Sequence, residues 1–187
     1  MTTPARAVSS RTLQAEQTRQ QILATAQRLF AERGYDATSL QLIADEMGLT
    51  KAAVYYYFRA KDDILRAVLQ PGLERLKTLV EGTAAIRGRR ARAEYLVSGF
   101  VDFLVENRAT PIMTVIDPAA KRSNLDERRS MRESTITLLF GDNPTAAERL
   151  SFEIVFYIPE TLPSLTDLSD DELRDALSST MLRILRA

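Results

Sequence analysis

From about Glu16 to Arg33, apolar residues recur at three- and four-residue spacing, with Ile22, Leu23, Ala26, Leu29 and Phe30 on one face; the pattern predicts an amphipathic helix after a polar arm. Gly34 stops it as a C′ glycine, and Tyr35-Asp36-Ala37 leads to Thr38, whose hydroxyl is placed to cap a second helix, with Gln41 completing a capping box. That helix is short, about Ser39 to Met47. Gly48 ends it, Leu49 plugs the corner, and Thr50 is the natural N-cap of a third short helix, Lys51 to Tyr57. After a break at Phe58-Arg59-Ala60, Lys61-Asp62-Asp63 opens a fourth helix running to about Val80, its aspartates favoured by the helix dipole. Pro71 beside Gly72 is expected to kink or divide it.

Gly82 and the basic run Arg87 to Arg92 read as a loop and entry to a core-type helix over Ala93 to Glu106, with Leu96, Phe100, Phe103 and Leu104 apolar. From Arg108 the pattern stays helical but is punctuated by Pro111 and Pro118, and a longer helix follows from about Ser123 to Leu139. Gly141-Asp142-Asn143-Pro144 is a strong turn signal. A helix over Thr145 to Ile158 carries Leu150, Ile154, Phe156, Tyr157 and Ile158; a loop holding Pro159 and Pro163 then leads to a last helix, Asp170 to Arg186. No set of alternating strands and no internal repeat appears. The expected fold class is all-α, with about nine helices.

Composition narrows the chemistry. The 187 residues contain 25 basic and 25 acidic side chains, no Cys and no His. Disulfides, thiol nucleophiles, cysteine and imidazole metal ligands and histidine general bases are therefore closed routes. A carboxylate site around Asp102, Glu106 and Asp117 is the remaining enzymatic alternative, but no metal-type spacing supports it. The expectation is a protein that is not an enzyme, with no cofactor and no metal. The opening residues MTTPARAVSS lack the apolar core of a signal peptide and no run is long enough to span a bilayer, so a cytoplasmic protein without a membrane partner is expected. Neutrality hides an uneven distribution: the first 61 residues hold 8 Lys or Arg against 5 Asp or Glu, and the balance beyond them is acidic.

Two short helices joined by Met47-Gly48-Leu49-Thr50 have the geometry of a helix-turn-helix, whose second helix enters the major groove. Leu29, Phe30, Leu42, Ile43, Val54 and Phe58 are spaced to converge as a shared core. The outward positions of the third helix are then Lys51, Ala52, Ala53, Tyr55 and, among the remaining tyrosines, Tyr56 or Tyr57. Small residues permit close approach to base edges, while lysine and tyrosine donate to phosphates and guanine acceptors. Tyr55 reads as the most outward tyrosine, and Lys61 is a second phosphate candidate.

The run Ile22-Leu23-Ala24-Thr25-Ala26-Gln27-Arg28-Leu29-Phe30, then Gly34-Tyr35, Thr38-Ser39, Ile43-Ala44, Met47-Gly48-Leu49 and Val54-Tyr55-Tyr56-Tyr57-Phe58 followed by Lys61, resembles the DNA-binding domain of the tetracycline-repressor (TetR/AcrR) family of bacterial regulators. The resemblance covers about a third of the chain. It implies a DNA-binding domain over residues 16–76 and a helical effector-binding and dimerisation domain over 77–187. It implies a homodimer on double-stranded, pseudo-palindromic operator DNA, usually repressing transcription, with a small-molecule effector that shifts the spacing of two reading heads. An activator or a ligand-independent regulator of the same fold is the alternative. The DNA-contacting positions it implies are Thr38, Ser39, Gln41, Lys51, Ala52, Ala53, Tyr55, Tyr57 and Lys61.

In the remaining sequence only helix spacing guides the reading. Phe152, Phe156, Leu173, Leu177 and Met181, on the helices where the resembled family builds its dimer contact, are the interface candidates. An apolar or amphipathic ligand would be lined by Phe100, Phe103, Met113, Ile116, Met131 and Phe156, with polar groups from Tyr95, Asp102, Asn107, Arg132 or Tyr157.

Overall fold

A computed structural model describes residues 10–108 and 125–186. Within them are eight α-helices and one 3-10 helix: α1 (Ser10–Arg33), α2 (Leu40–Glu46), α3 (Lys51–Tyr57), α4 (Lys61–Ala84), α5 (Arg89–Glu106), α6 (Leu125–Phe140), α7 (Ala146–Tyr157), the 3-10 helix (Ile158–Ser164) and α8 (Asp170–Arg186). The described residues contain no strand. They divide into two compact units between Val68 and Leu69, inside α4.

The first unit closes on Ile22, Ala26, Leu29 and Phe30 of α1, Leu40, Ile43 and Ala44 of α2, Val54 of α3, and Ile64 and Leu65 of α4, all buried. Of the core expected from periodicity, Leu29, Phe30, Ile43, Val54 and Phe58 are buried and Leu42 is half-buried at the margin. α1 is already helical at Ser10, ahead of the expected start at Glu16. Its first turns bury little and are held by polar pairs one turn apart, Glu16 with Gln20 at 2.7 Å and Thr18 with the Gln14 carbonyl at 3.0 Å, which an apolar pattern does not reveal.

In the second unit α5 packs most extensively against α8. The seam consists of Leu96, Val97, Val101 and Leu104 against Leu173, Leu177, Met181 and Leu185, which recur every four residues along α8. Gly99 lets α4 approach α5: a Cβ there would collide with a Leu79 methyl. Pro71 does not divide α4, which continues to Ala84.

The basic run is not a loop, because α5 begins at Arg89. Arg89 pairs with Glu148 at 2.6 Å and lies 4.8 Å from the Phe140 ring centroid. Arg92 donates to the carbonyls of Ile86 at 2.8 Å and Leu138 at 3.1 Å. Arg92 thereby satisfies carbonyls at and just beyond helix C-terminal ends, where cations are favoured by the dipole, while Arg89 makes an ion pair with Glu148. The segment after α7 is likewise no plain loop. Pro159 occupies the first turn of the 3-10 helix, where the missing N–H costs nothing, and the Thr161 and Ser164 hydroxyls donate to backbone carbonyls three residues back.

Candidate nucleic-acid interface and ligand cavity

The corner between α2 and α3 is a complete Schellman turn. Gly48 adopts φ +64°, its N–H reaches the Asp45 carbonyl at 3.1 Å, and the Leu49 N–H reaches the Ala44 carbonyl at 2.9 Å. Thr50 then caps α3, its hydroxyl accepting from the Ala53 N–H at 3.2 Å. The chain therefore turns abruptly between two short helices and shares one core beneath them.

Capping at the start of α2 falls to Ser39, not Thr38: the Ser39 hydroxyl accepts from the Leu42 N–H at 3.1 Å. Thr38 is 1% exposed, and its hydroxyl donates to the Gly34 carbonyl at 2.9 Å and the Leu29 carbonyl at 3.3 Å. It ties the end of α1 to α2 and offers no side-chain surface to a phosphate. Gln41 is no capping-box partner either; its amide donates to Asp45 at 2.6 Å along the exposed face.

Along α3, Lys51 and Ala52 are exposed and Ala53 is half-buried. The Lys51 ammonium stands 5.7 Å from the Tyr55 ring centroid, so these two form one cationic, hydroxyl-bearing surface. Tyr55 is 45% exposed but Tyr56 is 82% exposed, so the most outward tyrosine is Tyr56. Tyr57 is half-buried with its ring edge-on to Tyr56. A helical wheel carries the missing signal: at about 100° per residue, Tyr56 stands roughly opposite the direction shared by Val54 and Phe58.

Lys61 is engaged inside its own unit. Its ammonium donates to the carbonyls of Tyr35 at 2.7 Å and Thr38 at 2.8 Å and sits 4.0 Å from the Tyr35 ring centroid. The Tyr35 hydroxyl in turn donates to Asp62. Lys61 thereby fastens the α1–α2 connection to the start of α4.

The second unit contains a cavity of about 170 Å³. Phe100 and Phe103 of α5 and Met131 of α6 line it as expected, joined by Leu76 and Leu79 of α4. Met113 and Ile116 lie outside the described residues. Tyr95, Asp102, Asn107 and Tyr157 do not line it. Tyr95 turns its hydroxyl toward Gly82, and Asn107 donates to the Phe103 carbonyl at 2.7 Å as the C-cap of α5. Tyr157 is 52% exposed on the outer face of α7. Of the expected polar groups Arg132 of α6 is in the lining, joined by Arg128 and Thr135.

The expected interface residues are also reassigned. Phe152, Leu173, Leu177 and Met181 are buried within the single chain, and Phe152 and Phe156 line the cavity. The exposed apolar residues of α7 are Leu150, Ile154 and Tyr157, a stripe at helical spacing. No described helix is long and apolar enough to cross a membrane.

The enzymatic alternative finds no cluster among the described residues. Asp102 pairs with Arg174 at 3.1 Å and Glu106 with Arg75, while Asp117 lies outside the described residues. The Arg75 hydrogen bond holds the Glu106 carboxyl below its ordinary range, which keeps it an anion and disfavours it as a general acid.

Residues 22–68 match the family described as bacterial regulatory proteins, tetR family. The HTH-type transcriptional activator FasR of Mycolicibacterium smegmatis is 32% identical over 90 residues, covering 48% of this chain and 41% of that protein. The HTH-type transcriptional regulator AcrR of Shigella flexneri is 42% identical over 55 residues, covering 29% of this chain and 26% of that protein. The matches thus span well under two thirds of either relative. Among solved structures, a TetR-family transcriptional regulator from Bordetella parapertussis superposes with a TM-score of 0.68 at 22% identity, over 89% of this chain and 95% of that one. Residues 22–68 thus match the tetR family of bacterial regulatory proteins, and the chain has the fold of a solved TetR-family regulator.

Proposed function

We propose that the protein regulates transcription by binding double-stranded operator DNA as a homodimer, with α3 entering the major groove and a small apolar or amphipathic ligand in the second unit releasing it. The observation that carries this reading is the surface of α3: Lys51, Ala52, Tyr55 and Tyr56 project outward from a helix fixed by the Schellman corner, within a segment that matches a regulatory family. Ala52 leaves room for base edges, Lys51 supplies a cation, and the tyrosine hydroxyls reach phosphates. Ser39 and Gln41 flank this surface at the exposed start of α2, with Ala53 and Tyr57 at its margin.

The exposed Leu150, Ile154 and Tyr157 stripe supports a self-complementary contact between two copies. Repression relieved by ligand is the favoured mode. Activation is the second reading, favoured by the printed role of FasR as an activator.

The test is fluorescence anisotropy of the full chain on the DNA upstream of its own gene, across a series of salt concentrations. The reading expects sequence-selective affinity that falls steeply with salt, and a Lys51→Ala variant whose salt slope is shallower by about one. Equal affinity for upstream and scrambled duplexes at every salt concentration would overturn it.

A further inference from the structure

α6 presents Met131, Arg132 and Thr135 to the cavity at helical spacing, and leucine and phenylalanine side chains of α4, α5 and α7 form most of the remaining wall. The Thr135 hydroxyl donates to the Met131 carbonyl at 2.8 Å, so its one proton is committed inside α6. Arg132 pairs with Glu153 of α7 through a terminal nitrogen, and its guanidinium carbon stands 5.9 Å from the ring centroids of both Phe152 and Phe156. Its Nε is buried and has no hydrogen-bond partner among the described residues. A guanidinium N–H can only donate, and native structures rarely bury one without an acceptor. A buried water makes about three hydrogen bonds, and a wall this apolar gives it few partners.

We infer that Arg132 selects the ligand of this cavity through its Nε–H, and that the ligand is a small, mostly apolar molecule carrying an oxygen acceptor for that donor: a carbonyl, a hydroxyl or a carboxylate. The inference rests on the proposed effector role of the second unit. It adds the functional group the effector carries and the residue that reads it. What is required is an acceptor and not a charge, because Glu153 already faces the guanidinium and the unmet feature is one directional donor. A hydrocarbon would seal the Nε–H away from water with no partner, and a ligand whose only polar group is an ammonium brings donors alone. For size, a protein cavity of about 150 Å³ is known to hold benzene. The volume of about 170 Å³ here therefore fits one aromatic ring with a short substituent, or an alkyl chain of similar bulk.

The test is isothermal titration calorimetry of the full chain with acetophenone, α-methylstyrene and benzoate. The first two share a ring and an outline and differ by a carbonyl oxygen against a methylene. The informative variant is Arg132→Lys, which keeps a cation able to pair with Glu153 but places a methylene where Nε stands. Acetophenone is expected to bind this variant on the order of tenfold more weakly, as loss of a hydrogen bond to a charged group provides, while α-methylstyrene holds its affinity. Benzoate is expected to weaken with acetophenone, and its rank against acetophenone on the unmodified chain tells a carboxylate from a neutral oxygen. If circular dichroism shows that the lysine variant has lost native helicity, Arg132→Met takes its place with the same expectation. Acetophenone and α-methylstyrene changing equally, or neither changing, would overturn the assignment to Nε and leave the cavity as a ligand site. Failure of all three to bind the unmodified chain would overturn it together with the effector reading.

Discussion

At the scale of single residues, Lys61 shows why chemistry inferred from residue type needs the structure. A lysine just beyond a reading helix reads as a phosphate contact, yet two of its three donors are placed on the carbonyls of Tyr35 and Thr38. Its first role is to position the start of α2. Lys61→Gln is accordingly expected to lower unfolding free energy by about 1.5–3 kcal/mol, the range for hydrogen bonds to charged groups, measured by urea titration. An unchanged urea midpoint with weakened DNA binding would assign Lys61 to phosphate alone. Thr38 and Ser39 carry the same lesson. Both are good N-caps, so sequence does not distinguish a cap at one from a cap at the next; the choice follows from Thr38 being sealed against the end of α1. The tyrosine run is legible from the sequence once Val54 and Phe58 are taken as buried, because their positions point Tyr56 outward.

At the scale of elements, the turn is the feature on which the reading surface depends. Gly48 at φ +64° has nothing within 4 Å of where a Cβ would stand, so a side chain there meets no obstacle and the cost is conformational only. Gly48→Ala is expected to destabilise the protein by about 1–2 kcal/mol, the left-handed penalty for an L-residue. In thermal unfolding followed by circular dichroism this reads as a lower Tm, by about 2–4 °C per kcal/mol for a chain of this length. An unchanged Tm would mean that the turn relaxes out of the left-handed region. Helix interiors were legible because buried faces impose a 3.6-residue period, and α2, α3 and α8 follow that period closely. Helix ends were less so. The first turns of α1 and α5 are polar and held by one-turn pairs and by arginine contacts to distant carbonyls, none of which leaves an apolar signature.

At the scale of the whole molecule, sequence does not separate a chain's own core from its contact with a second copy. Leu173, Leu177 and Met181 have the spacing an interface would have, but they pack against α5. The stripe of Leu150, Ile154 and Tyr157 emerges only once that packing is known. Ile154→Glu places a charge on each side of a self-complementary patch and is expected to shift sedimentation from dimer to monomer while leaving the helical content unchanged. A dimer persisting in that variant would locate the contact elsewhere. The most direct test of the central claim is selection of bound duplexes from a random-sequence pool by the purified full chain. A homodimeric DNA reader enriches a motif with two-fold symmetry, its half-sites separated by roughly one helical turn or a multiple of it. Recovery of duplexes no different in sequence from the input pool would contradict the claim.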